Sequence, residues 1–243
     1  MSDLTFDLQH YFDWNGIRIF QDDRVLKVGT DALLLGGWIP RVAQTPARIL
    51  DAGTGCGVLA LMLGRSCPES RIEGVDVDHV AVELASLNIQ KADMARNIRI
   101  LHEDITAAMK STESEYDLVV SNPPFYSDSL LPVNELSRRA KHTEGPKSWI
   151  QAMANNLLLH GEMGIIVPAH HALEWIFEAN SLGYYVNNRM DVYAIHGDPV
   201  PKRSLLLFTP VLTKPEIGSM YIQYRKEGYT PEYLALTGIR NTR

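Results

Sequence analysis

The amino-acid sequence predicts an α/β fold with a mostly parallel sheet, helices on both of its faces and an antiparallel hairpin near the carboxyl terminus. From residue 47 onward, short β-rich runs alternate with helix-like segments, which is the pattern of βαβ crossovers. Two β-like runs, 184–194 and 203–212, are joined only by residues 195–202, and no helical pattern lies between them. Strands with so short a connection pair antiparallel, so the sheet departs from the all-parallel pattern of dinucleotide-binding domains.

Hydrophobic periodicity and turn residues place the elements of this fold along the chain. Thr30 or Asp31 suits the N-cap of a short apolar helix at 32–39. We predict further helices at 57–67, 79–94, 148–161 and 171–183. We predict strands at 47–53, 71–78, 97–104, 116–125, 162–168 and at the two hairpin runs, with an edge strand added by 220–225.

Composition limits the number of domains and the cellular compartment that the sequence is compatible with. The 243 residues are 45% hydrophobic and 21% charged, which indicates one compact domain overall, with an extension at 1–46 and the main domain at 47–243. Two cysteines are too few for a disulfide framework, and no Cys/His cluster has zinc-ligand spacing. The sequence has neither a signal-peptide pattern nor an apolar run long enough for a membrane span. We therefore expect a cytoplasmic protein without a metal or a membrane partner, and we favour a monomer.

A glycine-rich turn follows the first strand of the predicted sheet, where open α/β sheets bind ligands. Its spacing, D-A-G-T-G-C-G at 51–57, is G-x-G-x-G after an acid, which differs from the G-x-G-x-x-G pyrophosphate fingerprint. A tight turn with nothing bound would use the same residue types. The candidate cofactor-binding residues here are Asp51, Gly53, Thr54, Gly55 and Gly57.

Acidic residues end the next two strands as well. Asp76, 25 residues after Asp51, is placed to accept the hydroxyl protons of a ribose, which suits NAD and S-adenosylmethionine equally. Asp104 ends the third strand. Any one of these acids could simply cap a helix or form a turn, but three at successive strand ends beside a glycine turn favour a nucleoside site. Val77 and Ile105, which follow the two acids, are included in the candidate site.

Two further segments contain candidate residues for binding or catalysis. Upstream, the helix that begins near Thr30 and Asp31 could hold a carboxylate at its N-terminus, with Lys27 and Gly29 beside it, although a helix start packed on the core has the same pattern. Downstream, N-P-P-F at 122–125 closes the fourth strand, which as a bare motif is also a rigid turn.

An amine-methylating site explains more of the N-P-P-F residues than a turn does. The Asn122 side-chain oxygen and the Pro123 carbonyl can each accept an N–H bond of an exocyclic amine, so that its lone pair is exposed to a methyl donor. Pro123 and Pro124 would fix the direction of these acceptors. Phe125 could stack on an extruded base, worth about 1–3 kcal/mol.

These motifs resemble a known family. N-P-P-F with the glycine turn resembles the signature of N-methyltransferases that act on exocyclic amines or on glutamine amides. K-V-G-T-D-A-L-L-L-G-G-W at 27–38, R-R-A-K-H-T at 138–143 and Y-T-P-E-Y-L-A-L-T at 229–237 make the chain similar to the bacterial valine-tRNA adenine-N6 methyltransferases. The resemblance implies a Rossmann-like, seven-stranded class I methyltransferase sheet, S-adenosyl-L-methionine as cofactor, a tRNA partner and adenine 37 as the target.

The resemblance also implies roles for single residues. Asn122, Pro123 and Phe125 would hold the base, and Phe125 departs from the Tyr that is common in this motif. The residues around the cofactor would be Lys27, Thr30, Asp31, Gly53, Gly55, Asp76 and Asp104, so the extension at 1–46 would include a helix that contacts the cofactor.

Charge is distributed unevenly along the chain. The net charge of −6 argues against RNA, but residues 1–137 hold 11 Lys and Arg against 20 Asp and Glu, whereas residues 138–243 hold 12 against 9. The second part is therefore mildly basic, at +3. Its candidate phosphate contacts are Arg138, Arg139, Lys141, Lys202 and Arg203, although charge runs are often only solvated loops.

Four other functions fit parts of the pattern. The motif suits methylation of an amine in a small molecule or in ribosomal RNA equally well. A glutamine N5-methyltransferase of the release-factor type shares the N-P-P motif, but such enzymes generally carry a helical domain before the sheet. A non-catalytic module that binds S-adenosylmethionine or RNA is disfavoured by the intact motif at 122–124. A nicotinamide dehydrogenase is disfavoured by the glycine spacing and by the antiparallel hairpin.

Overall fold

The computed structural model describes residues 4–105, 116–123 and 145–240. Its strands are β1 (Tyr11–Trp14), β2 (Ile17–Phe20), β3 (Arg48–Ala52), β4 (Arg71–Asp76), β5 (Ile98–His102), β6 (Tyr116–Ser121), β7 (Leu157–Pro168), β8 (Tyr185–Ile195), β9 (Arg203–Thr209), β10 (Glu216–Tyr224) and β11 (Gly228–Tyr229). Its α-helices are α1 (Thr30–Val42), α2 (Val58–Ser66), α3 (His79–Lys91), α4 (Pro146–Asn155), α5 (Ala172–Ser181) and α6 (Pro231–Thr237).

The main sheet has the strand order β11-β10-β8-β9-β7-β6-β3-β4-β5. Strands β3 to β7 run parallel, and β9 lies antiparallel between β7 and β8, which confirms the predicted hairpin. Strand β10 joins β8 in parallel at the position predicted for an extra strand, and the short β11 pairs with β10. Within the described residues the sheet thus has nine strands: the seven of the predicted sheet, the predicted additional strand β10, and the short β11, which was not predicted.

The carboxyl ends of several strands lie side by side at one side of the main sheet. Because β3 to β7 are parallel, their carboxyl ends meet along a single line, here called the carboxyl edge. Strand β9 starts at this edge, since Arg203 lies opposite Pro168, the last residue of β7. Strand β8 reaches the same edge, since Val192 also lies opposite Arg203.

Alternating side chains of the strands fill two layers of core, one on each face of the sheet. Ile49 and Leu118 point into a layer that contains the buried residues of α1, α2 and α3. Leu50 and Val119, the next residues along the same strands, point into a layer with α4 and α5. The helices therefore cover both faces, as the strand–helix alternation predicted.

The N-terminal hairpin β1–β2 was not predicted from the sequence. Asn15 and Gly16 form its turn with positive φ angles of 48° and 83°, the geometry that Asn-Gly adopts in two-residue hairpins. Trp14 donates its indole N–H to the Thr237 carbonyl at 2.8 Å, so the hairpin packs beside α6. The signal was present as Asn-Gly between two alternating apolar runs.

The helix predicted at 148–161 is wrong over its second half. Helix α4 ends at Asn155, and β7 already begins at Leu157. Leu157 pairs with Tyr116, and the register then shifts before Glu162 pairs with Leu118. The three consecutive leucines at 157–159 show neither the alternation of a strand nor the spacing of a helix. Their structure therefore depends on pairing with β6.

Candidate active site

The glycine-rich turn between β3 and α2 lies at the carboxyl edge. Gly53, Gly55 and Gly57 all have positive φ angles, of 75°, 57° and 82°. A Cβ atom added to Gly55 would meet no described atom within 4 Å, so this side of the turn is open. The turn therefore presents bare backbone to any molecule that lies against it.

The buried side chain of Asp51 stabilises this turn through hydrogen bonds. Its side chain is 1% exposed, and Oδ2 accepts a hydrogen bond from Thr54 Oγ1 at 2.7 Å and another from the Ala60 N–H at 3.1 Å. Thr54 is buried as well. The structure thus gives Asp51 and Thr54 a bracing position, although both were predicted as cofactor contacts.

The Asp51 carboxyl makes stability depend on pH. Burial, and to a smaller extent the charge of Asp76, raises the pKa of Asp51 from 3.8 to about 7. Between these two values the folded state binds more protons than the unfolded state, so the free energy of unfolding falls as pH rises. Asp51→Asn removes this titration, so we expect its free energy of unfolding, relative to that of the wild type, to rise by at least about 1 kcal/mol between pH 5 and pH 8.

Urea unfolding at both pH values measures this difference. Glu227→Gln removes a negative charge from an exposed position and is the matched control, for which we expect the same dependence on pH as in the wild type. Parallel pH curves for Asp51→Asn and the wild type would contradict the assignment.

Asp76 connects the end of β4 to the glycine turn. Its Oδ2 accepts the Gly55 N–H at 2.9 Å, and its Oδ1 accepts the Asp78 N–H at 3.0 Å. Burial raises the pKa of Asp76. A carboxylate has about four acceptor positions on its two oxygens, so Asp76 can accept a further hydrogen bond beyond those from the backbone. The predicted ribose acceptor is thus positioned beside the open side of the turn.

The other predicted acid lies one strand further along. Asp104 and Ile105 follow β5, which pairs with β4 in parallel. Asp104 is half-buried, and Ile105 is buried in the layer that contains α4 and α5. Val77, after Asp76, is exposed, and His102 contacts its carbonyl at 2.9 Å. The structure brings these four predicted residues to neighbouring strand ends.

Asn122 follows β6 directly at the carboxyl edge. Its Oδ1 is buried, and no described residue donates a hydrogen bond to it. A buried acceptor left without a donor costs about 1–3 kcal/mol. The Asn122 oxygen is therefore available to an N–H group that the described residues do not supply. Pro123 is buried beside it, whereas Pro124 and Phe125 lie outside the described residues.

Trp149 of α4 contacts this site, although it was not among the predicted site residues. Its indole N–H donates to Ser121 Oγ at 3.0 Å, and Ser121 Oγ donates to the Ala52 carbonyl at 2.7 Å. A Cβ placed on Gly53 would lie 3.6 Å from the indole ring. Trp149 thus links the ends of β3 and β6 to the glycine turn. No spacing in the sequence signals these contacts, because they join separate elements.

We expect Trp149→Phe to lower kcat by about three- to tenfold, because it keeps an aromatic ring over Gly53 but loses the N–H bond to Ser121, worth about 0.5–1.5 kcal/mol. The KM for the cofactor and the melting temperature should change little. Steady-state kinetics and thermal unfolding test this. Trp175→Phe replaces a buried tryptophan of α5 in the same way and is the control. An unchanged kcat in Trp149→Phe would mean that Trp149 contributes only to packing.

The start of α1 also reaches the carboxyl edge. The N-cap residue is Gly29, so the prediction of Thr30 or Asp31 at the N-cap is wrong; both belong to the first turn of the helix. Asp31 forms an ion pair with Arg203, with Nε 2.9 Å from Oδ2. Arg203, a predicted phosphate contact, is thus paired with a predicted cofactor residue. Lys27 is exposed and pairs with Asp23 at 2.7 Å.

The remaining predicted RNA contacts divide into two groups. Lys202 is exposed in the β8–β9 loop, next to Arg203. Arg138, Arg139 and Lys141 lie outside the described residues.

Among residues 4–105, 116–123 and 145–240, no group of three or more His, Cys, Asp or Glu side chains could hold a metal ion. No helix in the described part of the chain is long and apolar enough to cross a membrane.

Comparison with known proteins assigns the family. Residues 20–179 match the family model described as the methyltransferase small domain. The chain belongs to this family. A tRNA1(Val) (adenine(37)-N6)-methyltransferase of Bacteroides fragilis is 31% identical to this methyltransferase over 232 residues, which are 94% of this chain and 96% of the relative. A relative of the same name from Phocaeicola vulgatus is 33% identical over 229 residues, 93% and 95% of the two chains.

The solved structures agree on the fold. A predicted O-methyltransferase of Agrobacterium tumefaciens superimposes with a TM-score of 0.66 at 18% identity, over 87% of this chain and all of that chain. The family confirms the resemblance inferred from the sequence motifs, and with it S-adenosyl-L-methionine as the cofactor of this methyltransferase.

Proposed function

We propose that this methyltransferase transfers a methyl group to the exocyclic N6 amine of an adenine in tRNA. The observation that carries the proposal is the buried Asn122 Oδ1, an acceptor with no described donor, at the end of β6 beside the glycine turn. The two relatives of similar length are both named for methylation of adenine 37 in a valine tRNA. That adenine is therefore the target to test first.

The described residues fit the cofactor. We assign its nucleoside to the open side of Gly55 and to the strand ends at Asp76 and Asp104, whose carboxylates accept hydrogen bonds from hydroxyl and amino groups. The positive end of α1, at Gly29 to Asp31, suits the carboxylate of the methionine part. Lys27 would assist by exchanging its exposed partner Asp23 for this carboxylate. S-adenosylmethionine, when bound, supplies an electrophilic methyl group on a sulfonium.

The substrate amine needs positioning more than activation by a base. Its lone pair is delocalised into the adenine ring, so hydrogen bonds from its two N–H groups to Asn122 Oδ1 and the Pro123 carbonyl favour a more tetrahedral nitrogen. Pro124 would keep the backbone of this turn rigid, and Phe125 would stack on the base. The proton can leave the nitrogen after methyl transfer, without a covalent enzyme intermediate.

Methylation of total tRNA tests the proposal. The protein is incubated with radiolabelled S-adenosylmethionine and total tRNA from a strain that lacks the enzyme, and the labelled nucleoside is identified after digestion. We expect N6-methyladenosine, and far less label in tRNA from a strain that has the enzyme, because its site is already methylated. Label that appears only in protein would overturn the RNA assignment and favour glutamine methylation.

A further inference from the structure

Four aromatic side chains form a continuous surface on β8, on the residue that follows β8 and on β10. This aromatic patch consists of Tyr193, His196, Tyr221 and Tyr224. The ring centroids of Tyr193 and Tyr221 are 5.1 Å apart, and His196 lies 4.7 Å from Tyr221 and 5.6 Å from Tyr224. The pairing of β8 with β10 sets Tyr193 directly opposite Tyr221.

The patch lies at the same edge of the sheet as the active site. Val192, the residue before Tyr193, is opposite Arg203, where β9 starts at the carboxyl edge. Strands β9 and β7 separate β8 from β6, which ends in the residue before Asn122. Neighbouring strands are about 4.8 Å apart, so β8 is about 14 Å and β10 about 19 Å from β6. Nucleotides that neighbour a target base at Asn122 could therefore contact β8 and β10.

The core does not account for these rings. Val192 and Met220 are buried in the layer with α1, so the next residues along the strands, Tyr193 and Tyr221, lie on the opposite face of the sheet. Both tyrosines are only half-buried, and His196 is exposed. Aromatic surface left in contact with water is typical of a binding site rather than of a structural one.

Positive charge surrounds the patch. Lys202, Arg225 and Lys226 are exposed in the segments that follow or precede its strands. Three acidic residues lie nearby: Asp191, which pairs with Arg189 at 2.9 Å, Asp198, whose carboxylate accepts the Ile195 N–H at 3.1 Å within its own turn, and Glu227. Arg189 balances the charge of Asp191, and the other three cations outnumber the other two acids, so rings and positive charge occur together, which is the combination that binds single-stranded nucleic acid.

We propose that the aromatic patch stacks unpaired nucleobases of the RNA substrate beside the adenine that is methylated. The inference rests on the proposed function, because it assigns the patch to that RNA. The rings would contact base faces, which every base offers, while Lys202, Arg225 and Lys226 contact phosphates. The patch therefore contributes affinity and placement, and the identity of the target base is read at Asn122.

Binding and kinetics with an unmodified valine-tRNA transcript test this inference. We expect Tyr221→Ala and His196→Ala each to raise the Kd and the KM for the transcript at least about fivefold, the effect of losing one stacked base, while the Kd for S-adenosylmethionine stays unchanged. Tyr221→Phe keeps the ring and should bind as the wild type does. Phe177→Ala removes an aromatic side chain that is 70% exposed on α5 and is the matched control.

The outcomes separate this inference from the proposed function. If the wild type methylates the transcript but Tyr221→Ala and His196→Ala bind it normally, the stacking surface is wrong and the proposed function stands. If the wild type places no label in RNA, both are wrong. His196 is exposed, so His196→Ala is expected to fold and decides the matter should Tyr221→Ala be unstable.

Discussion

Replacement of Asn122 by alanine is expected to lower kcat for tRNA methylation at least tenfold, which corresponds to about 1.4 kcal/mol of activation free energy. The substrate amine would lose its buried acceptor Oδ1 and with it the orientation of its lone pair. The affinity for S-adenosylmethionine should change little, because the glycine turn and Asp76 are untouched. Single-turnover kinetics and calorimetric titration with the cofactor measure the two quantities.

The control for this experiment is Asn180→Ala, which removes an exposed carboxamide from α5. It should leave both turnover and cofactor affinity unchanged. Equal losses of turnover and of cofactor affinity in Asn122→Ala would mean that the substitution disturbs the fold or that the motif only binds, and the assigned positioning role would then be wrong.

Substitution of Gly55 by alanine is expected to raise the Kd for S-adenosylmethionine at least tenfold, or about 1.4 kcal/mol. The new methyl group would project into the open side of the turn, where no described atom lies within 4 Å. The positive φ of 57° adds strain of about 1–2 kcal/mol for a residue with a Cβ. That strain would also disturb the hydrogen bond from the Gly55 N–H to Asp76.

Gly197→Ala is the matched control because it has the same kind of strain away from the turn. Gly197 has a φ of 90° and open space around its Cβ position, in the loop after β8. Both variants should lose a similar free energy of unfolding in urea, but only Gly55→Ala should lose cofactor affinity. A normal Kd in Gly55→Ala would show that the cofactor does not use the open side of the turn.

The parts of the fold that depend on local pattern could be predicted from the sequence. The alternation of strands and helices and the short connection at 195–202 sufficed for the parallel sheet and its antiparallel hairpin. The leucine run at 157–159 could not be assigned, since its structure depends on pairing with a strand far away in the chain. The hairpin at Asn15–Gly16 carried a local signal that was overlooked.

The candidate site divides in the same way. The glycine turn, Asp76 and Asn122 are recognisable because each ends a strand with a distinctive local motif. Trp149 is not, because its link to Ser121 exists only once α4 has packed on the sheet. The pairing of Asp31 with Arg203 likewise joins residues from distant parts of the chain, so no spacing could have indicated it.

The position of β9 has a consequence for how the chain folds during synthesis on the ribosome. Within the described residues, β8 forms sheet hydrogen bonds only with β9 and β10, both of which are translated after it. Strands β3 to β7 can assemble as they emerge, whereas β8 must wait in an unpaired state until residues 203–209 have left the exit tunnel. The nascent enzyme therefore completes its sheet at the end formed by β8, β10 and β11, and the tyrosines of β8 and β10 reach their final places after strands β3 to β7 have assembled.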